Sequence, residues 1–351
     1  MIKSKPPRNP YAIPSLYLQI LSPLKLLARI FDLLISLLRP HTPTRKNITL
    51  VCISDTHTLT PSTSLPYGDI LIHAGDLTNA GTPRELQSQI TWLSSLPHPH
   101  KIIISGNHDS HLDPRSRGTL ALSDRNTDID WQNLIYLQDS HVTLTFPSSS
   151  SSSRDPCSST STNDQLAKLK IYGSPFVPLV GGPEHAFQHP RSQDYWTGKV
   201  PADTDVLITH CPPKYHLDLP GVQAMGDEFL LHEVRRVQPN VHVFGHIHAG
   251  RSDFFGKVKG GKEVVRWDRA ERHLAEVLKR ESPGTVTDWA LHMINLVLWY
   301  HFFAFAYWSV REVLGEVLCW REEPPSTIMV NAAMMYEDEG RLGNSPQVIH
   351  L

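Results

Sequence analysis

The sequence predicts an α/β fold with its functional residues gathered at the carboxyl ends of its strands. Two observations predict it. Short apolar, β-branched runs alternate with helical stretches along much of the chain, the pattern of an α/β core. Five of these runs break into loops that present Asp, Asn or His, and the carboxyl edge of a sheet is where such folds place ligands.

In order, the chain opens on a Pro-rich arm with Lys3, Lys5 and Arg8. Ser22-Pro23 then starts a helix to Leu38, with Ser22 as N-cap, Pro23 in the first turn and a stop at Pro40. Its polar residues Ser22, Lys25, Arg29, Asp32 and Ser36 form one narrow stripe, so the wide Leu/Ile face is expected to be buried, on the domain or in a membrane interface. A cleaved signal peptide fits poorly, because charges interrupt the apolar run and no small-x-small site follows.

Ile48–Ile53 reads as a strand ending in Ser54-Asp55-Thr56-His57, and Asp69–His73 as a second ending in Ala74-Gly75-Asp76. A helix from about Thr82 to Leu96, capped by Thr82 with Pro83 first inside, leads to the strand Lys101–Ser105 and to Gly106-Asn107-His108-Asp109. Residues 134–146 give two short strands. The Ser/Thr-rich tract 148–163 cannot pack and reads as a surface insertion. Strands at Lys170–Tyr172, Val206–Ile208 and Val241–Phe244 follow, with a helix at Glu228–Val237 between the last two. The last two strands end in Thr209-His210 and Gly245-His246-Ile247-His248.

Beyond Gly256, Val264–Leu278 reads as an amphipathic helix with Val264, Trp267, Leu274, Val277 and Leu278 on one side. Trp289–Val310 holds no Asp, Glu, Lys or Arg and has the length of a membrane span. His292, Asn295 and His301 argue against a span, as does the strand-like Ile328–Met334, which has to rejoin the core. We expect a hydrophobic hairpin or long helix packed on the first helix. Segments 22–38 and 285–320 are then candidates for peripheral membrane contact or dimerisation, with basic residues flanking both. The chain divides into an arm with its helix (1–45), a core (46–256), a hydrophobic helical insertion (257–324) and closing strands (325–351).

A chain of 351 residues can bury a full core without disulfides. Its net charge of -2 lacks the electrostatic footprint of a nucleic-acid-binding protein, so nucleic acid is not expected as the main partner. Cys52, Cys157, Cys211 and Cys319 are scattered with no C-x-x-C pair, which points to a reducing, cytoplasmic location. Among the 20 histidines, His98 and His100 lie beside prolines and read as exposed loop residues.

The strand ends together supply Asp55, His57, Asp76, Asn107, His108, His210, His246 and His248. Carboxylate, imidazole and amide oxygen without thiolate suit Mn, Fe, Zn or Co rather than a structural Cys-type zinc site. A carboxylate lying between two ligand groups can bridge two metals, and a pair of metals about 3.5 to 4 Å apart clamps an in-line displacement at phosphorus.

The motifs Asp55-Thr56-His57, Gly75-Asp76, Gly106-Asn107-His108-Asp109, His210 and Gly245-His246-Ile247-His248 resemble those of the calcineurin-like metallophosphoesterases. Lys170-Ile171-Tyr172-Gly173-Ser174-Pro175, Asp205–His210 and Val330-Asn331-Ala332-Ala333 look like the small metallophosphoesterase-domain-containing proteins of animals and fungi. The resemblance covers about 47–256 and 325–350. It implies a sandwich of two mixed β-sheets flanked by helices, to which this chain adds its N-terminal helix and the insertion before the last strand.

By the family pattern, two divalent ions (Mn, Fe or Zn) are the expected cofactors. One would take Asp55, His57 and His248, the other Asn107, His210 and His246, and Asp76 would bridge. Asn107 and His108 would face a small phosphomono- or phosphodiester, a nucleotide or cyclic nucleotide by resemblance. Metal-bound hydroxide would attack, and His108, helped by Asp109, would protonate the leaving oxygen. Rival readings are a protein phosphatase, whose docking features are not visible, and a membrane-associated binding or scaffold protein with a vestigial metal site. Cys211 stands where many relatives carry glycine.

Overall fold

The computed structural model describes residues 22–39, 47–147, 167–219, 225–251, 260–279, 289–290, 293–318, 324–335 and 340–351. The basic arm, the Ser/Thr tract, Cys157, Cys319, Lys257, Lys259 and His292 lie outside them. The elements begin with α1 (Pro23–Leu38), β1 (Thr49–Ile53), β2 (Ile70–Ala74), α2 (Pro83–Ser95), β3 (His100–Ile104), β4 (Ile135–Tyr136), β5 (Ser140–Phe146) and β6 (Ala167–Ser174). There follow β7 (Val177–Pro178), β8 (Gln188–His189), β9 (Val206–Thr209), α3 (Glu228–Val237), β10 (Val241–Phe244) and β11 (Lys262–Arg266). α4 (Arg269–Lys279), α5 (Leu296–Val317), β12 (Ser326–Asn331) and β13 (Gln347–His350) close the series.

Alternation along the strands gives each sheet two apolar faces. In β1, Leu50 and Cys52 join the cluster between the sheets, while Val51 and Ile53 join the cluster under α2. The described residues form a five-stranded sheet in the order β13-β1-β2-β3-β4, parallel except for β13. A six-stranded sheet, β11-β12-β10-β9-β6-β5, has four parallel central strands and antiparallel edges. Ile72 and Ile104 of the first sheet meet Ile171, Ile208 and Val243 of the second in the central core. Leu86, Ile90 and Leu93 of α2 cover the outer face of the first sheet. Helices α1, α3, α4 and α5 cover the second, against Leu207, Phe244 and Met329. This is the expected sandwich of two mixed sheets flanked by helices.

The carboxyl ends of the two sheets meet along one edge. Met334 N donates to Ser54 O (2.8 Å), Ala332 N to Phe244 O (2.7 Å) and Gly245 N to His210 O (3.0 Å). The loops after β1, β2, β3, β9 and β10 are thereby brought together.

Four expectations differ from the structure. Val264 lies in a strand, not a helix: Lys262–Arg266 pairs antiparallel with β12, placing Val264 opposite Ile328, and the helix starts only at Arg269. The apolar segment is helical at Trp289, Ala290 and Met293, breaks at Asn295, and runs on as a helix from Leu296 to Val317 that the Asn295 side chain caps by accepting from Leu298 N. It packs against α4 and α1 as one helix, and no helix among the described residues is long and apolar enough to cross a membrane. α1 has the expected bounds, but Ser22 makes no side-chain cap, and only Leu24, Ala28 and Phe31 of its apolar residues meet the core while much of its Leu/Ile face is exposed. Lys25 and Ala28 are buried while Leu27, Leu33, Leu34, Leu37 and Leu38 are exposed, and Arg29 turns inward, its Nη2 donating to Tyr215 O (3.4 Å). His98 and His100, read as exposed loop residues, are neither: His98 is buried with its Nε2 against Pro66 O (2.9 Å), and His100 is half-buried as the first residue of β3, paired with Ile70.

Candidate metal centre

The loop after β1 turns sharply. Asp55 and His57 sit at φ +53° and +44°, Asp76 after β2 at +54°, and His246 after β10 at +63°. Each is a left-handed conformation that costs a non-glycine residue energy and persists only when its surroundings fix it. The surroundings do so here. Asp55 N donates to Gly75 O (2.9 Å), His57 N to Asp76 O (3.2 Å), and His246 N to both Asp55 carboxylate oxygens (3.0 and 3.1 Å).

The side chains converge in two groups. Asp55, His57 and His248 bring one donor atom each within 4.8 Å of one another, as do Asp76, His210 and His246. Asp76 Oδ2 lies 3.7 Å from His57 Nε2 and 3.2 Å from His210 Nε2, so one carboxylate oxygen stands between the groups. Asn107 Oδ1 is 3.1 Å from His210 Nε2. All seven expected ligands are therefore in one place.

His57, Asp76 and His108 likewise bring one donor atom each within 4.8 Å of one another. The His108 ring lies edge-on to His57 (centroids 4.8 Å apart), with its Nδ1 held by Asn79 O at 3.0 Å. Asp109 does not meet that ring. Its carboxylate accepts from Leu77 N, Thr78 N, Thr78 Oγ1 and Gly106 N (3.3, 3.0, 2.8 and 2.8 Å), clamping the loops after β2 and β3.

Electrostatics follow from burial among mixed charges. Burial alone would raise Asp55 and Asp76, but His248 beside Asp55 and His210 beside Asp76 hold both below the usual carboxylate range. Burial raises Asp109 to about 6, with the Asp76 charge adding to it. Burial opposes charge on His210, yet the neighbouring Asp76 lifts it to about 9; His246 is pushed by burial down to about 3 and stays neutral.

The donor set fits divalent cations. Two carboxylates, four imidazoles and an amide oxygen face one another, and His57 Nε2 is buried without a hydrogen-bond partner. His210 Nδ1 sits 2.8 Å from Ala74 O, which orients its Nε2 into the site in the manner of metal-binding histidines.

The model for the calcineurin-like phosphoesterases matches residues 48–250. The chain belongs to that family. The chain is 37% identical over 286 residues to a probable rhamnogalacturonate lyase C of Emericella nidulans, a match covering 82% of this chain and 23% of that protein. It is 39% identical over 221 residues to human metallophosphoesterase domain-containing protein 1, covering 57% of this chain and 60% of the relative. To the UPF0046 protein K07C11.7 of Caenorhabditis elegans it is 34% identical over 215 residues, covering 60% and 66%. The chain thus spans less than two thirds of each of these relatives.

Sequence reasoning missed His185. Its Nδ1 is 3.2 Å from Asn107 Nδ2, and its ring is edge-on to His108 with centroids 5.3 Å apart. It comes from the turn-rich stretch Gly181-Gly182-Pro183-Glu184, which carries no motif; Ala186 N donating to Asn107 O (2.8 Å) brings it in. Cys211 is free and buried, and burial raises its thiol well above the usual range, so it is a packing residue rather than an added ligand.

Proposed function

We propose that this chain is a dinuclear, metal-dependent phosphoesterase acting on small phosphomono- or phosphodiesters, nucleotides and cyclic nucleotides foremost. The single observation that carries it is the Asp76 carboxylate oxygen between His57 and His210, each within its own ligand group. In this reading Asp55, His57 and His248 hold one divalent ion, Asn107, His210 and His246 the other, and Asp76 both. Manganese, iron or zinc bound there supplies Lewis acidity toward a phosphoryl oxygen and makes water nucleophilic at neutral pH.

The chain's own residues do the rest. Asn107 and His108 line the entrance and orient the phosphoryl group. His108, with Nδ1 on the Asn79 carbonyl, turns Nε2 toward the leaving oxygen and donates its proton. Asp109 acts on His108 through the backbone it clamps, not through the ring. His185 steadies the Asn107 amide so that Oδ1 faces the ligand group.

The test is hydrolysis of bis- and mono-p-nitrophenyl phosphate by metal-stripped protein with Mn²⁺ restored. Manganese-dependent turnover is expected, with His108→Ala lowering it by about 10²- to 10⁴-fold while metal content holds. Asp76→Asn is expected to lose metal and activity together, read by elemental analysis. Stoichiometric metal binding with no turnover on any phosphoester would replace this reading with a metal-binding or scaffold protein.

A further inference from the structure

Two neighbouring helices leave an apolar surface uncovered. Phe31 of α1 packs edge-on against Phe305 of α5 with centroids 5.6 Å apart. Eight residues later, Arg39 Nε donates to Glu316 Oε1 (2.8 Å) in the last turn of α5, and Arg39 Nη1 to Asp268 (3.0 Å). The two contacts come in the same order along both helices, so α1 and α5 run side by side in one direction. Their inward faces share one core cluster, with Leu24, Leu298 and Phe305 buried in it. Their outward faces are apolar: Leu34 and Leu37 on α1, Tyr300, Phe303 and Tyr307 on α5. Leu37 is 72% exposed and Leu296 82%. Apolar patches of this extent on a soluble domain mark an interaction site.

Charge identifies the occupant. Among the described exposed positions of both helices, the one charged side chain is Arg311. The other charged groups near the surface turn inward, as with Arg39 and Glu316. Residues 1–46 hold eight Lys and Arg against one acid, Asp32, in a chain whose net charge is -2; with Lys25, Arg29 and Arg39 turned inward, Lys3, Lys5, Arg8, Arg45 and Lys46 remain on the sequence flanking α1. Positive charge is therefore concentrated in the sequence next to the apolar face. We propose that α1 and α5 seat this protein on an anionic phospholipid surface, lying in the plane of the interface with Tyr300 and Tyr307 at headgroup depth. A second copy of the chain fits this charge less well, because an isologous pairing brings two positive segments together while anionic lipid neutralises them. The seating is peripheral, since neither described helix can span a bilayer.

The experiment is flotation of the full chain with phosphatidylcholine vesicles, with and without phosphatidylserine, at low and raised salt. Binding to the anionic vesicles is expected to exceed that to neutral ones by about tenfold or more and to weaken with salt. Leu34→Glu with Leu37→Glu, and separately Phe303→Glu with Tyr307→Glu, should abolish flotation while leaving nitrophenyl-ester hydrolysis and thermal melting in place. Lys3→Glu, Lys5→Glu and Arg8→Glu together should remove the preference for phosphatidylserine. Three results would overturn the proposal: no flotation with any vesicle, equal flotation on neutral and anionic vesicles, or a dimer in light scattering that the same apolar-to-Glu pairs dissociate.

Discussion

Gly106 and Gly245 stand where a carboxylate of the site passes against the backbone. A Cβ on Gly106 would overlap Asp76 Oδ1 and the Asp76 amide, and one on Gly245 would overlap Asp55 Oδ2 and the Ser54 side chain. These glycines hold no metal, yet they let the carboxylates sit where they do. Gly106→Ala is expected to displace Asp76 and weaken Mn²⁺ binding by about 10- to 100-fold, with circular dichroism unchanged; titration calorimetry reads it. At this scale the site was largely legible, because Asp55, His57, Asp76, Asn107, His210, His246 and His248 each stand at a strand end. His185 was not, because its approach depends on a backbone hydrogen bond between distant loops. Nor was the partner of Asp109, since a carboxylate next to His108 in sequence turns to four donors elsewhere.

Among the elements, α3 shows how one side chain ties secondary to tertiary structure. Asp227 Oδ1 caps the helix, accepting from Phe229 N (2.8 Å) and Leu230 N (3.1 Å). Its Oδ2 accepts from Trp196 Nε1 at 2.9 Å and faces His189 Nε2 at 3.0 Å. Asp227→Ala removes the cap and leaves the buried indole N–H without an acceptor, so a loss of about 2 to 4 kcal/mol is expected in urea unfolding. The bounds of α1, α2 and α3 were legible because Pro23, Thr82-Pro83 and the Val237 end carry local signals. The strand at Val264 was not. Its two valines and Trp267 match a helical face as well as a strand, and pairing with β12, more than 60 residues on, decides between them.

In the whole molecule, the part beyond residue 250 is fastened to the family core by a buried ion cluster. His216, after β9, faces Glu263 of β11 (Nδ1 to Oε1, 3.0 Å) and Glu271 of α4 (Nε2 to Oε1, 3.8 Å), and Arg235 of α3 meets Glu271 at 2.7 Å. Burial opposes charge on His216, but Glu263 and Glu271 raise it to about 9. A raised folded value stabilises the protein fully below the unfolded value of about 6.5, and the contribution fades as pH rises through 9. The melting-temperature gap between wild type and His216→Gln is therefore expected to be widest below pH 6.5 and to close above pH 9. A gap independent of pH would remove the ion cluster as its cause.

The sequence by itself determined the α/β class, the strand ends that bear the candidate ligands and the apolar character of α1 and α5. Each is written in local periodicity or in short motifs, which a chain carries wherever it folds. Tertiary structure alone decided which face of α1 is buried, that Val264 belongs to a sheet, and that His185 and Asp109 serve neighbours far along the chain. Those outcomes depend on contacts between segments remote in sequence, and hydrophobic pattern leaves them open: inward-facing Arg39 is satisfied only because Asp268 and Glu316 are brought to meet it.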